Sequence, residues 1–191
     1  MSIHDLHRIC AHVLARAQHE ETGRLGLVVH DGAIATRDDA LRIPDGGDFG
    51  SLAELASDAG VELDPSFSVG HETPPLGDVH ERLHVDPDVV RWYVRAWAVL
   101  EDLHDDLADH GPTELTLWPE HMDVAFTVVG VNLGAAPGDS FEPERYAYVG
   151  PHGPERPGDA AFWNQPFGAS RRWSEVDPAA FLREGIGRFL P

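Results

Sequence analysis

Lysine is absent from this chain of 191 residues, so all 14 basic side chains are arginine, set against 33 acids for a formal charge of −19. A face that binds nucleic acid needs several cations to neutralise phosphates, and an anionic membrane surface selects for the same feature. Neither partner is expected here. A second cysteine is also lacking, so Cys10 cannot form an internal disulfide, which points to a reducing compartment. Its neighbours Ile9 and Val13 predict a buried thiol. No apolar run approaches the ~18 residues of a membrane-crossing helix. The N-terminus is amphipathic with two early histidines, not a basic stretch followed by an apolar one. Together these absences predict a cytoplasmic protein. Internal repeats and low-complexity tracts are missing too, and a collagenous or coiled-coil class is excluded.

What is present is ordinary for a globular chain, 42% of it hydrophobic. At about 150 residues per domain, the length suggests one domain with a sizeable core. Two explanations of the acidity stay open: GC-rich codon usage, which favours Arg, Ala, Gly, Asp and Pro, and the need to stay hydrated in strong salt. Either way the charge reads as solubility.

Apolar residues at Ile3, Leu6, Ile9, Cys10, Val13, Leu14 and Ala17 have helical spacing and predict a helix over 2–22, with Ser2 and Asp5 capping its start and Gly23 ending it. Residues 25–36 read as a hairpin closed by Asp31-Gly32. Residues 44–50 read as a loop, and Ser51 with Glu54 forms a capping box opening a short helix that Gly60 closes. From Asp64 to about Asp86, Pro, Gly, Asp and His predict an irregular connection. Asp86-Pro87 opens a long helix to about His110, with an inner stripe of Val89, Tyr93, Ala96, Trp97, Leu100, Leu103 and Leu107. Segments 114–118, 123–133 and 145–149 read as three strands of an antiparallel meander. A long ordered loop over 151–174 follows, then a terminal helix opened by Asp177-Pro178. The expected architecture is one α+β domain, an antiparallel sheet packed against the long central helix and the N-terminal helix.

The sharpest string match is His80-Glu81-Arg82-Leu83-His84, the H-E-x-x-H pattern in which two histidines on one helix face hold zinc. Its surroundings argue against that geometry. A helix start follows two residues after His84, prolines precede the motif closely, and Arg82 would put a cation beside the metal. A solvated loop is the plainer reading. His4, His7 and His12 read as surface histidines. The stretch Gly130 to Gly134 lacks the spacing and following helix of a phosphate cradle.

A second constellation carries the functional expectation. Trp118, Glu120, His121 and Asp123 lie at a strand junction; if extended, His121 and Asp123 point to one side, as metal ligands or an acid–base pair require. Tyr146 and Tyr148 share a strand face, and Asn164 adds an amide between Trp163 and Phe167. Aromatic walls with a few polar groups describe a pocket for a small ligand or a divalent metal ion. The same residue types also make an ordinary core edge, with His121 and Asp123 bonded to each other. Two rival functions remain: a metal-dependent hydrolase and an interaction module without a pocket.

The run from Asp86-Pro87 through Leu117-Trp118-Pro119-Glu120-His121-Met122-Asp123-Val124-Ala125, then Glu142-Pro143-Glu144, Tyr146 to Pro151 and Phe162-Trp163-Asn164, is similar to uncharacterised proteins of high-GC bacteria grouped as domains of unknown function. The similarity covers roughly residues 86–170. It implies an α+β unit and transfers no activity.

Overall fold

The computed structural model describes residues 3–190. The chain is α+β, with antiparallel strand pairing throughout, and it divides into two compact units. The first comprises residues 1–95 and 117–122, the second 96–116 and 123–191. Among the described residues, no helix is long and apolar enough to cross a membrane.

The first unit begins with helix α1 (His4–Ile9), a π-helical segment Cys10–Leu14 and helix α2 (Ala15–Thr22) in unbroken succession, ended by Gly23 in the left-handed conformation. The proposed Ser2 cap lies outside the described residues. Asp5 accepts the His84 amide and does not cap the helix. Every residue of the π segment is buried, and Cys10 is fully so, as its neighbours predicted.

Strands β1 (Val28–His30) and β2 (Ala33–Ala35) pair in the expected hairpin, with Asp31 and Gly32 both at positive φ as a primed turn requires. A third strand, β3 (Arg42–Pro44), joins them. The expected loop over 44–50 is instead largely β4 (Gly47–Ser51), which pairs with β5 (Arg82–Val85) through a bulge. Composition misled here because the pairing partner is a distant segment and supplies the backbone bonds that local propensity does not. The capping box is present: Ser51 accepts the Glu54 amide, Glu54 accepts the Ser51 amide, and α3 (Leu52–Asp58) follows.

The stretch expected to be irregular from Asp64 to about Asp86 is so only as far as β5, which occupies its end because β4 pairs with it; the irregular part is firmly held. Arg8, only 2% exposed, donates to the carbonyls of Leu76 and Asp78, and His12 bonds the Pro74 carbonyl at 2.7 Å. His12 is therefore a buried anchor and not the surface histidine expected from its spacing. Burial pushes the imidazoles of His7 and His12 below their ordinary value, against the opposing pull of their carbonyl partners.

Helix α4 (Pro87–Asp106) starts where Asp86-Pro87 predicted and stops short of His110, which closes a separate 3₁₀ turn ended by Gly111 at φ 65. Of the expected stripe, Trp97 is only half-buried and donates to Glu101, while Trp92, outside that stripe, is fully buried.

In the second unit, β7 (Asp123–Val128), β8 (Val131–Ala136), β9 (Tyr146–Pro151) and β10 (Ala169–Arg172) run antiparallel in chain order, while β6 (Thr116–Trp118) falls at the division between the units. The segment 123–133 is thus two strands, turned at Val129-Gly130, and 151–174 holds a strand that composition concealed. Helix α5 (Pro178–Gly187), capped by Asp177 onto the Ala180 amide, packs on β8, β9 and β10. This terminal helix covers the sheet, a role the sequence did not give it. Gly185 permits the close approach, since a Cβ there would run into Val149 and Phe162.

Candidate functional site

The period of two along a strand sorts the second unit's sheet into two faces. One carries Val124, Phe126, Leu133, Ala147 and Val149, all buried, and lies under α5. The registers place Asp123, Thr127, Asn132, Gly134, Tyr146, Tyr148 and Ser170 together on the other. That face is built from hydrogen bonds. Tyr148 donates a short hydrogen bond to the Asp123 carboxylate, and Tyr146 donates to Asp139 at 2.6 Å. Thr127 donates to Asn132 Oδ1, which His152 also meets at 2.8 Å.

Small residues make room for these groups. Tyr148 pairs in register with Gly134, and a Cβ on Gly134 would collide with the phenol ring. The ring therefore lies flat over the neighbouring strand and reaches Asp123 beyond it. Burial raises both tyrosine pKa values far above the ordinary range, and the facing carboxylates Asp139 and Asp123 reinforce the shift. Both phenols stay protonated at any physiological pH. Each spends its proton on a carboxylate, so each phenol oxygen keeps only acceptor capacity for a further partner.

Two phenylalanines complete the face. Phe141 is 47% exposed and Phe167 39%, and their rings meet edge to face at 5.4 Å. Phe141 also approaches Tyr146, and Phe167 approaches Tyr148, so the four rings form a closed circuit. Sequence reasoning missed Phe141 and Asp139. The signal that would have found the face is in β8, where Asn132, Gly134 and Ala136 put a polar group and two small ones on the side that Tyr146 and Tyr148 share.

The remaining expected residues have other roles or lie in the other unit. Asn164 donates to the Ser170 carbonyl and accepts the Ser170 amide, which ties the loop to β10. In the first unit, Trp118 is 46% exposed, Glu120 accepts the His71 amide at 2.6 Å, and His121 lies 3.3 Å from Glu72 and 3.7 Å from Glu120. The extended backbone that would aim His121 and Asp123 the same way is not there. Residues 119–122 form a turn with Met122 at φ 56, which breaks the alternation. Among the described residues, no group of three or more His, Cys, Asp or Glu is placed to hold a metal ion. The H-E-x-x-H string does not form a helix: Arg82 to His84 belong to β5, and His84 bonds Asp48.

No protein-family model matches this chain, and no match was found among curated proteins or solved structures.

Proposed function

We propose that this protein binds a small molecule on the tyrosine face of the second unit's sheet, at Asp123, Tyr146 and Tyr148 between Phe141 and Phe167. The single observation that carries the reading is the pairing of two protonated phenols with two carboxylates beside exposed rings. Exposed rings forgo the gain of burial, and two buried phenols facing carboxylates require good hydrogen bonds to offset desolvation.

The chemistry of the ligand follows from the groups. Phenol oxygens with acceptor capacity only, carboxylates beneath them and exposed ring faces all favour a donor of hydrogen bonds that carries positive charge and a flat apolar part. An aromatic amine is the simplest such molecule. The Tyr148–Asp123 bond commits one carboxylate oxygen, which makes a ligand with its own N–H groups a better occupant than a metal ion.

The test is a titration of the ¹⁵N-labelled full chain with phenethylamine, followed by amide chemical shifts. Saturable shifts at Asp123, Gly134, Tyr146 and Tyr148, weakened in Tyr148→Phe, support the reading. A stoichiometric divalent ion in native mass spectra, lost on His121→Ala or Asp123→Ala, would replace it with the metal reading.

A further inference from the structure

A separate cleft of about 390 Å³ opens in the second unit, lined by Asp159, Phe162, Arg171, Asp177, Phe181 and Glu184 among others. That volume is in the range of small-molecule sites. Its floor is aromatic: the rings of Phe162 and Phe181 stack at 5.3 Å with an interplanar angle of 27°. The Arg171 guanidinium lies over both, 5.6 Å from one ring centroid and 5.4 Å from the other. It arrives there because Arg171 pairs in register with Ala147 and so projects from the face of β10 that α5 covers.

The charges around the cleft are not equivalent once their bonds are followed. Asp159 accepts the Ala161 amide, Asp177 accepts the Ala180 amide as the cap of α5, and Glu184 is paired with Arg188 at 2.6 Å. Each acid is already engaged. Arg171 donates only to the carbonyls of Ser170 and Phe162, and among the described residues no carboxylate lies within ion-pair distance of it. Other arginines do better: Arg8, Arg16, Arg42, Arg91, Arg172 and Arg183 each lie against an acid. Arg156 shares this arrangement, donating to the carbonyls of Gly153 and Glu155 over the Trp163 ring, but only Arg171 does so at the wall of this cleft. Arg188, on the same wall, also keeps a buried Nε with no acceptor among the described residues.

We infer that this cleft is a second ligand site, built for a small planar carboxylate whose carboxylate takes the remaining N–H donors of Arg171 and whose ring rests along the edge of the Phe162–Phe181 pair, the ring faces being covered by Arg171 and Arg188. Guanidinium and carboxylate match as planar, charge-assisted partners. The site stands independently of the tyrosine face, and the two call for ligands of opposite charge.

Benzoate and benzylamine, similar in shape and opposite in charge, make the test on the full ¹⁵N-labelled chain. Benzoate is expected to give saturable amide shifts at 159–162, 171 and 177–181, with benzylamine at least about tenfold weaker there, the difference one charge-assisted hydrogen bond makes. Arg171→Gln should remove the preference for benzoate. Ala180→Phe, on an exposed part of the wall, should block benzoate while leaving Arg171 and the fold in place. Tighter binding of benzylamine than benzoate at these amides, equal binding in either folded variant, or no saturable shift with benzoate overturns the inference. Should Arg171→Gln fail to fold, Ala180→Phe decides alone.

Discussion

The two units solve the same problem in different ways. The second holds itself by register: four strands in chain order, one apolar face, and a helix laid across it. The first holds its long irregular connection by buried polar groups, with Arg8 and His12 reaching from the N-terminal helix to the carbonyls of Pro74, Leu76 and Asp78. Regular pairing satisfies backbone groups wholesale, so strand side chains on one face are released for other uses. An irregular segment must have its carbonyls satisfied one by one, and the side chains that do so are no longer available. This is why the tyrosine face and the arginine cleft both belong to the second unit, while Arg8 and His12 of the first are committed to loop carbonyls.

The first unit is most sensitive at Arg8. Arg8→Met keeps much of the side-chain volume but strips two carbonyls of their donor and Asp5 of its cation at 3.6 Å. A loss of about 3 kcal/mol is expected in denaturant unfolding, with amide exchange accelerated first around 76–78. A near-neutral outcome would mean that the connection is held by packing after all.

The corresponding point in the second unit is Gly185, where α5 meets β9. Gly185→Val should cost about 2 kcal/mol through overpacking against Val149 and Phe162. Its effect on amide exchange should be confined to α5 and the sheet beneath it. Exchange that accelerates equally at α1 would erase the distinction between the units.

A smaller effect separates them by pH. The folded state depresses His7 and His12 below 6.5, chiefly by burial, so it binds protons less readily than the unfolded chain. The stability this confers is complete above pH 6.5 and is lost as the pH falls through the lowered folded values. Denaturant midpoints measured from pH 7.5 down to 5 should therefore fall, and the fall should flatten in His12→Gln. A midpoint that rises on acidification would show the sign to be wrong.

Much of the fold was legible where the signal is local. Asp31-Gly32, Ser51 with Glu54, Asp86-Pro87 and Asp177-Pro178 each mark a boundary with chemistry that acts within four residues, and each boundary is where those residues placed it. Pairings between distant segments were not legible. Residues 47–51 contain two glycines and an aspartate and become a strand only because Arg82–Val85 comes to meet them. Ala169–Arg172 is too short and too polar to announce a strand without Tyr146–Val149 beside it.

The site was legible in half. Tyr146 and Tyr148 share a face because strand periodicity says so, and the structure joins Tyr148 to Asp123 and Tyr146 to Asp139 by hydrogen bonds. His121 failed the same reasoning because Met122 adopts a left-handed conformation that no residue pattern announces. Arg171 escaped notice because its meaning depends on which acids are already engaged, and only coordinates reveal that.

The account turns on whether the face opposite α5 takes up a ligand. Titrating phenethylamine into wild type and Tyr148→Phe at neutral pH and moderate salt reads this directly. Saturable shifts centred on Asp123, Gly134 and Tyr148, about tenfold weaker in the variant and little changed by added salt, are the predicted result. Shifts scattered over the acidic surface, screened away by salt and identical in the two proteins, would contradict it.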